Sequence, residues 1–131
     1  LDRAGAWRQM ATLIGHQKIH GYGFWSVVEK SSGDWVGRIG PWNPEGWPEP
    51  EVGWTLHKNY TGKGYATEAG AACVDYVFNT LGWDRIIHVI DLHNTGSIKV
   101  AEAIGSEKLY KIDKLPPFGE VNCWAWGQTR T

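Results

Sequence analysis

Apolar residues in the first half of the chain recur at spacings that predict one helix followed by three strands. They stand at helical intervals from Leu1 to Ile14, and Gly15 suits the end of that helix. Short runs rich in aromatic and β-branched residues then predict three strands, Phe24–Glu29, Trp35–Ile39 and Glu51–His57. A Ser/Gly/Asp turn joins the first two strands as a hairpin, and a loop rich in Pro and Gly precedes the third.

The second half of the chain predicts two helices and three strands. An amphipathic pattern from Tyr65 to Leu81 indicates a long helix, and the nearly continuous apolar run Arg85–Asp91 is typical of a strand buried on both faces. Asn94 suits the N-cap of a short helix that ends before Gly105. The last two strands are expected on either side of a Pro-Pro turn, at Lys108–Ile112 and Val121–Trp126.

Length and composition narrow the class of protein. With 131 residues the chain is long enough for one domain with a substantial core. A net charge of −1 offers no electrostatic footprint for nucleic acid or for an anionic membrane, and no apolar run predicts a membrane span or a signal peptide. The two cysteines, Cys73 and Cys123, lie in apolar segments, so we expect buried, reduced thiols in a cytoplasmic protein. No Cys/His spacing indicates a metal site.

The segment Asn59–Ala69 gives the clearest indication of function, because it joins a predicted strand directly to a predicted helix. Gly62 and Gly64 allow backbone amides to approach a ligand closely, since no Cβ is in the way. Those amides are the unpaired donors of a helix N-terminus, where the helix dipole also favours an anion. A pyrophosphate is the ligand that fits this arrangement.

Other kinds of glycine loop fit these residues less well. A Walker A loop requires Ser or Thr after its lysine, but Gly64 follows Lys63. A dinucleotide-binding fingerprint requires a third small residue where Thr67 stands, and the acidic residue expected further along is absent. A glycine turn that merely opens a helix stays open as an alternative.

Two segments together resemble the GNAT family of N-acetyltransferases. Tyr60–Ala69 is similar to the family's acetyl-CoA loop, Gln/Arg-x-x-Gly-x-Gly/Ala, with Asn59 in place of the first residue. Asp91–Gly105 resembles a second signature, Asn-x-x-Ser followed by a glutamate and a glycine. That signature is typical of the branch that acetylates ribosomal-protein N-termini, the ribosomal-protein-alanine N-acetyltransferases. The two motifs together are far more specific than either one.

The resemblance covers roughly Tyr22 to Trp126 and implies an α/β fold of the α+β kind. Its mixed, mostly antiparallel sheet has about six strands and flanking helices, and the strands Glu51–His57 and Arg85–Asp91 splay apart into a cleft. The resemblance also implies acetyl-CoA as cosubstrate and direct transfer of its acetyl group to a primary amine, at a protein N-terminus or on a small molecule. The residues that match coenzyme-binding positions are Trp54, Thr55, Leu56, Thr61, Gly62, Lys63, Gly64, Tyr65, Ala66, Asn94 and Ser97.

The catalytic assignments follow from the same resemblance. Glu51 stands where several relatives place a catalytic carboxylate and is the first candidate for the base that deprotonates the amine. Asp113 is the second candidate, and an ordered chain of water with no single base is the third. Ser97 replaces the proton-donating tyrosine of many relatives, since Ala101 stands at that position. Asn94 either binds the pantetheine amides or only caps its helix.

The nine tryptophans are the compositional peculiarity of the chain. Six lie in or beside predicted strands, and most of these are expected in the core: Trp25, Trp35, Trp42, Trp54, Trp124 and Trp126. Trp42 and Trp47 bracket a loop that we expect to be exposed, and one of them is a candidate acceptor-binding residue. This loop favours a cationic acceptor with an apolar body, because three acidic residues lie near it, Glu45, Glu49 and Glu51.

Members of the resembled family begin with a further strand and helix before the segment that matches Leu1–Gly15. We therefore expect an uncovered sheet edge beside Phe24–Glu29, and such an edge invites pairing with another chain. A homodimer is predicted on this ground. Two other functions stay open: a coenzyme-A-binding protein without transferase activity, and an interaction domain that has kept the fold and lost the ligand.

Overall fold

The computed structural model describes residues 1–131 as one six-stranded sheet with three α-helices. The helices are α1 (Arg3–His20), α2 (Tyr65–Asn79) and α3 (Thr95–Ala103). The strands are β1 (Trp25–Val28), β2 (Trp35–Trp42), β3 (Glu51–Leu56), β4 (Arg85–Asp91), β5 (Glu107–Leu115) and β6 (Gly119–Thr129). A single 3₁₀ turn, Lys58–Tyr60, precedes α2. The predicted α/β class is confirmed.

The sheet has the strand order β1-β2-β3-β4-β6-β5, and every neighbouring pair is antiparallel except β3 and β4. These two strands run parallel and pair at one point only, Glu51 opposite Ile87. Beyond that point they separate, and the gap between them opens towards α2 and α3. The sheet is therefore mixed, mostly antiparallel and splayed at its centre, as predicted.

The main core lies between α2 and the first half of the sheet. Cys73, Val74 and Val77 of α2 pack against Ile39 of β2 and Val52 of β3. A second apolar cluster lies at the β4–β6–β5 end, formed by Ile87, Ile112, Leu115 and Ala125. Ile86 and Ile87 of β4 belong to different clusters and are both fully buried, which confirms that this strand is buried on both faces.

Helix α1 is longer than the sequence indicated. It passes through Gly15 and ends at Gly21, which adopts φ 77° and donates its amide to the Gln17 carbonyl. A glycine inside a helix costs only about 1 kcal/mol, whereas a left-handed C-cap strongly favours glycine, so the second glycine sets the end. The apolar side chains of this helix are exposed, in contrast to the usual amphipathic pattern: Trp7, Met10, Ile14 and Ile19.

His16 is the one buried residue of α1 and attaches the helix to the sheet. Its ring stacks on Trp42 with centroids 4.2 Å apart, and its Nε2 accepts a hydrogen bond of 2.9 Å from the Asn43 amide. Burial, together with the nearby His20, lowers the pKa of His16. The helix is thereby held across the end of β2, beside the sheet face opposite α2.

Several aromatic residues differ in burial from the prediction. Trp25 and Trp35 were expected in the core but are 41% and 52% exposed, because they lie on β1 and the start of β2 at the rim of the sheet. Trp42 brackets the loop that was expected to be exposed, but it is buried as the last residue of β2, between His16 and Phe24, as most tryptophans in predicted strands were expected to be.

Both cysteines are free thiols, with Cys73 buried and Cys123 half-buried. Burial raises the pKa of the Cys73 thiol to about 12, so this side chain behaves as an apolar core residue. β1 forms one edge of the sheet, because β2 is the one strand of the chain that pairs with it. None of the three helices has the length and apolarity of a membrane span.

Candidate active site

The loop before α2 presents a row of backbone donors that have no acceptor in the protein. The amides from Thr61 to Thr67 donate no hydrogen bond to another protein atom, and the next amide, that of Glu68, donates to the Gly64 carbonyl. Gly62 and Gly64 adopt φ 77° and 83°, a left-handed backbone that favours glycine. Gly64 is the N-cap of α2, and no side chain caps the helix there. This is the geometry of an anion site at a helix N-terminus.

Two tyrosine hydroxyls attach this loop to the β1–β2 hairpin. Tyr60 donates a hydrogen bond of 2.9 Å to Asp34, and Tyr65 donates to Glu29. The bond from Tyr65, with one from Ser32, lowers the pKa of Glu29. Neither tyrosine was identified as an anchor from the sequence, because the partners lie on a turn far away along the chain.

A cavity of about 670 Å³ extends from these amides to α3 and is called here the loop cavity. Ten of the eleven predicted coenzyme-binding residues line it: Trp54, Thr55, Leu56, Thr61, Gly62, Gly64, Tyr65, Ala66, Asn94 and Ser97. Lys63 is the exception, since its ammonium lies 5.4 Å from the centre of the Tyr60 ring instead. The structure therefore brings the two sequence motifs together around one space.

Asn94 and Ser97 lie at the far end of the loop cavity, on the first turn of α3. The Asn94 side-chain oxygen accepts a hydrogen bond of 3.1 Å from the Ser97 amide, so this side chain caps the helix. The Ser97 hydroxyl accepts a hydrogen bond of 3.2 Å from the indole N–H of Trp54 on β3. The hydroxyl is thus held over the gap between the splayed strands.

A second cavity of about 540 Å³ lies on the α1 side of the sheet and is called here the aromatic cavity. It shares four lining residues with the loop cavity, so the two spaces meet there: Trp54, Thr55, Asn94 and Ser97. Five aromatic side chains line it: Phe24, Trp42, Trp47, Trp54 and Phe118. Trp42 and Trp47, one of which is predicted to bind the acceptor, are both among them.

Glu51 is the one acidic residue in the lining of the aromatic cavity. It is 7% exposed, and its carboxylate accepts hydrogen bonds of 2.6 Å from the Val89 amide and 3.0 Å from the Trp47 indole. Burial raises the pKa of Glu51 to about 7, although both hydrogen bonds act in the opposite direction. Such a carboxyl can gain or lose a proton near neutral pH, as a general base must.

His88 is a buried residue of β4 that sequence reasoning did not assign to the site. Its Nδ1 lies 2.7 Å from the Val52 carbonyl, and its Nε2 lies 2.7 Å from the Ser106 hydroxyl. Burial lowers its pKa to about 4, so the ring is neutral at physiological pH. The carbonyl fixes the proton on Nδ1, and Nε2 then accepts the Ser106 hydroxyl proton. The only sequence signal was a histidine within an otherwise apolar strand.

The other predicted acidic residues lie outside the two cavities. Asp113 is on β5 with its side chain 80% exposed, and it pairs with Lys111. Glu49 is bound by the Arg85 guanidinium at 2.7 Å and by the Tyr110 hydroxyl at 2.6 Å. Glu45 is exposed and lines neither space. No cluster of three or more His, Cys, Asp or Glu side chains is placed to hold a metal ion.

Comparison with known proteins connects this geometry to a family. The acetyltransferase (GNAT) domain family matches residues 1–107 of the chain. The Bacillus subtilis protein YkkB is 36% identical over 92 residues, which are 69% of this chain and 54% of YkkB. The uncharacterized N-acetyltransferase YnaD of Bacillus subtilis is 36% identical over 69 residues, which are 53% of this chain and 41% of YnaD. The chain spans about half the length of these curated relatives.

Solved structures give the same result for the fold. The crystal structure of the acetyltransferase from Agrobacterium tumefaciens str. C58 superposes with a TM-score of 0.83 at 27% sequence identity. The superposition covers 99% of this chain and 74% of that one. With a family match over most of its length and a site assembled from both sequence motifs, the chain belongs to the GNAT acetyltransferase family.

Proposed function

We propose that the protein is an acetyl-CoA-dependent N-acetyltransferase that acts on a primary amine by direct attack. The observation that supports this most is the row of unengaged amides at the start of α2, which borders the loop cavity. That cavity meets the aromatic cavity, whose lining includes Glu51. The amides bind the diphosphate of the coenzyme, because they are donors without a protein acceptor at the positive end of a helix dipole.

In the proposed complex the pantetheine arm follows the exposed backbone of β3 from Leu56 to Trp54, and the thioester lies where the two cavities meet. The amine nitrogen attacks the thioester carbonyl carbon from the aromatic cavity. The resulting oxyanion accepts a hydrogen bond from the backbone near Leu56, and such a preorganised donor is typically worth about 100- to 1000-fold in rate. The C–N bond is then complete and the C–S bond breaks.

Two side chains handle the protons in this proposal. Glu51 takes the proton that the amine loses, directly or through one water molecule, since an ammonium cannot attack. Ser97 donates a hydrogen bond to the leaving thiolate, because its hydroxyl already accepts from Trp54 and its own proton is free to point into the gap. The products are an amide and coenzyme A. Asp113 stays the second candidate for the base. It is favoured less than Glu51, because it lies outside both cavities.

Calorimetric titration with acetyl-CoA and thiol release against a panel of amines together test this function. Binding with thiol release supports the transferase. Binding without thiol release for any amine indicates a coenzyme-A-binding protein without activity, and no binding indicates an interaction domain that has lost the ligand. Valine at Gly64 is the matched negative control, because it removes glycine from a position with φ 83°.

Three finer assignments rest on the sequence and belong to this proposal. The second motif supports a protein N-terminus as acceptor, so N-terminal peptides of ribosomal proteins belong in the panel. The edge strand β1 supports a homodimer, and light scattering that gives a monomer mass would contradict it. Free thiols support a cytoplasmic location, which fractionation of cells would test.

A further inference from the structure

Arg38 is a half-buried cation in the lining of the aromatic cavity that has no anionic partner. It lies on β2 opposite Thr55, which lines both cavities. Its guanidinium takes part in no ion pair and no hydrogen bond within the protein. Its nearest described interaction is with the ring of Phe24, where the guanidinium carbon lies 4.7 Å from the ring centroid.

An arginine in this position is unusual, because proteins normally pair a cation that they remove from water. Arg85, on the rim of the sheet and far more accessible, is held by Glu49. Burial lowers the pKa of Arg38, which shows that the surroundings disfavour its charge. The Arg38 guanidinium therefore lacks an anionic partner. A ligand in the aromatic cavity beside it could supply one.

The charges of the aromatic cavity favour an anion over a cation. Its lining contains two arginines, Arg8 and Arg38, and a single carboxyl, Glu51. The pKa of Glu51 is about 7, so this carboxyl is only partly ionised near neutral pH. His88, which also lines the space, is neutral because its pKa is about 4. The sequence-based expectation of a cationic acceptor rested on two further glutamates, which the structure places elsewhere.

Phe24 connects Arg38 to Glu51 across the floor of the cavity. Gly53 of β3 forms part of this floor, because it lines the cavity and has no side chain. A Cβ at Gly53 would lie 3.3 Å from the tip of the Phe24 ring and 3.5 Å from the Glu51 carboxyl carbon. The guanidinium, the aromatic ring and the carboxyl thus follow one another along one wall.

We propose that the acetyl acceptor is an amine that also bears a carboxylate on an apolar body, such as an amino acid or a short peptide. Arg38 binds the carboxylate through its planar fork of N–H donors, Phe24 and the tryptophans contact the body, and the amine lies at Glu51. This inference rests on the proposed transferase function for the place of the amine, while the binding of a carboxylate by Arg38 is independent of it.

The test compares matched ligands that differ only in the carboxylate. Phenylalanine and alanyl-phenylalanine are assayed by thiol release against their C-terminal amides, and the N-acetyl forms of all four are titrated by calorimetry. We expect the carboxylates to be favoured, and Arg38→Gln to lower kcat/KM and affinity for them by about 10- to 100-fold while leaving the amides unchanged. Arg38→Lys should restore part of the loss, because it keeps the charge but not the fork.

Arg8→Gln is the control, since it removes the same charge from an exposed position on α1 in the same cavity. Equal losses in the two variants would show a general field effect and overturn the specific role of Arg38. A loss of coenzyme affinity in Arg38→Gln, or equal affinity for acids and amides in the unaltered protein, would also overturn the inference. Carboxylate-selective binding without any thiol release would support the inference and reject the transferase.

Discussion

The carboxylate of Glu51 on β3 accepts a 2.6 Å hydrogen bond from the amide of Val89 on β4, across the point where these parallel strands separate. In a continuous parallel sheet that amide would donate to a β3 carbonyl. His88 makes the opposite connection, from its ring to the Val52 carbonyl of β3. Glu51 and His88 therefore bind the Val89 amide and the Val52 carbonyl, which have no partner in the sheet where the strands separate. The hydrogen bond from Val89 also holds the Glu51 carboxyl, the candidate base, in place.

Glu51→Gln is the first test of the candidate base. Because the pKa of Glu51 is about 7, we expect kcat/KM of the unaltered protein to rise with pH through about 7. The glutamine variant should lose that rise and about 100-fold or more of its rate, while its amide oxygen still accepts from Val89. A pH–rate profile with its acid limb unchanged would transfer the role to Asp113 or to water.

The same substitution should change the pH dependence of stability in a defined direction. Folding raises the pKa of Glu51 from 4.5 to about 7, so the folded protein binds this proton more tightly than the unfolded chain. The contribution of Glu51 is full below pH 4.5 and is lost as the pH rises through 7, by about 3 kcal/mol in all. In urea denaturation, Glu51→Gln should gain stability relative to the unaltered protein between pH 5 and pH 8.

His88 should make the fold sensitive to acid. Folding lowers its pKa from 6.5 to about 4, so the unfolded chain binds the proton more tightly. Its contribution to stability is therefore full above pH 6.5 and is lost as the pH falls towards 4, by about 3 kcal/mol. His88→Gln should weaken this dependence, since an amide can still donate to Val52 and accept from Ser106 without titrating. His93→Gln, at an exposed turn, is the matched control for the substitution itself.

Gly64 and Gly82 form a matched pair for testing the loop. Both adopt a left-handed backbone, with φ 83° and 74°, and at neither would a Cβ meet another atom within 4 Å. Valine at either position should therefore cost similar stability, about 1–2 kcal/mol. Only Gly64→Val should weaken acetyl-CoA binding, by about tenfold or more, because Gly82 lies beyond the other end of α2. Equal coenzyme affinities in the two variants would refute the diphosphate site.

Ser97→Ala separates catalysis from coenzyme binding. The hydroxyl lies where the two cavities meet and accepts from Trp54, whereas the amides proposed to bind the diphosphate are at the other end of the loop cavity. We expect kcat to fall by about 10-fold or more, with the acetyl-CoA dissociation constant changed less than about threefold. An equal loss in both quantities would mean that the serine binds the coenzyme and has no separate role in the reaction.

Local patterns predicted the elements and the loop cavity well, because their determinants lie close together in the chain. The glycines at 62 and 64, the periodicity of α2 and the apolar run of β4 each specify their own conformation. The end of α1 was wrong, since two glycines competed and only the backbone geometry at Gly21 decides between them. Burial of Trp42 depended on His16, a contact between distant segments that periodicity cannot reveal.

The chemistry of the aromatic cavity was the least predictable part. Glu45, Glu49 and Glu51 are neighbours in sequence, so the sequence predicts acidic groups near the acceptor loop. In the structure Glu49 is neutralised by Arg85, which lies in another strand, and only Glu51 faces the cavity. Arg38 contributes a positive charge to the cavity, but it belongs to β2, which was predicted from its apolar residues alone. Charge pairing is a long-range property of the fold, so the local sequence could not supply it.

The amides from Thr61 to Thr67 also determine how this segment should exchange hydrogen with solvent. Without acceptors, they have nothing that slows deuterium uptake, although the residues lie in a well-defined turn anchored by Tyr60 and Tyr65. A bound diphosphate would occupy them and slow their uptake selectively. The free protein therefore exchanges this stretch of backbone quickly, and protection that appears there on addition of acetyl-CoA would report occupancy by the coenzyme.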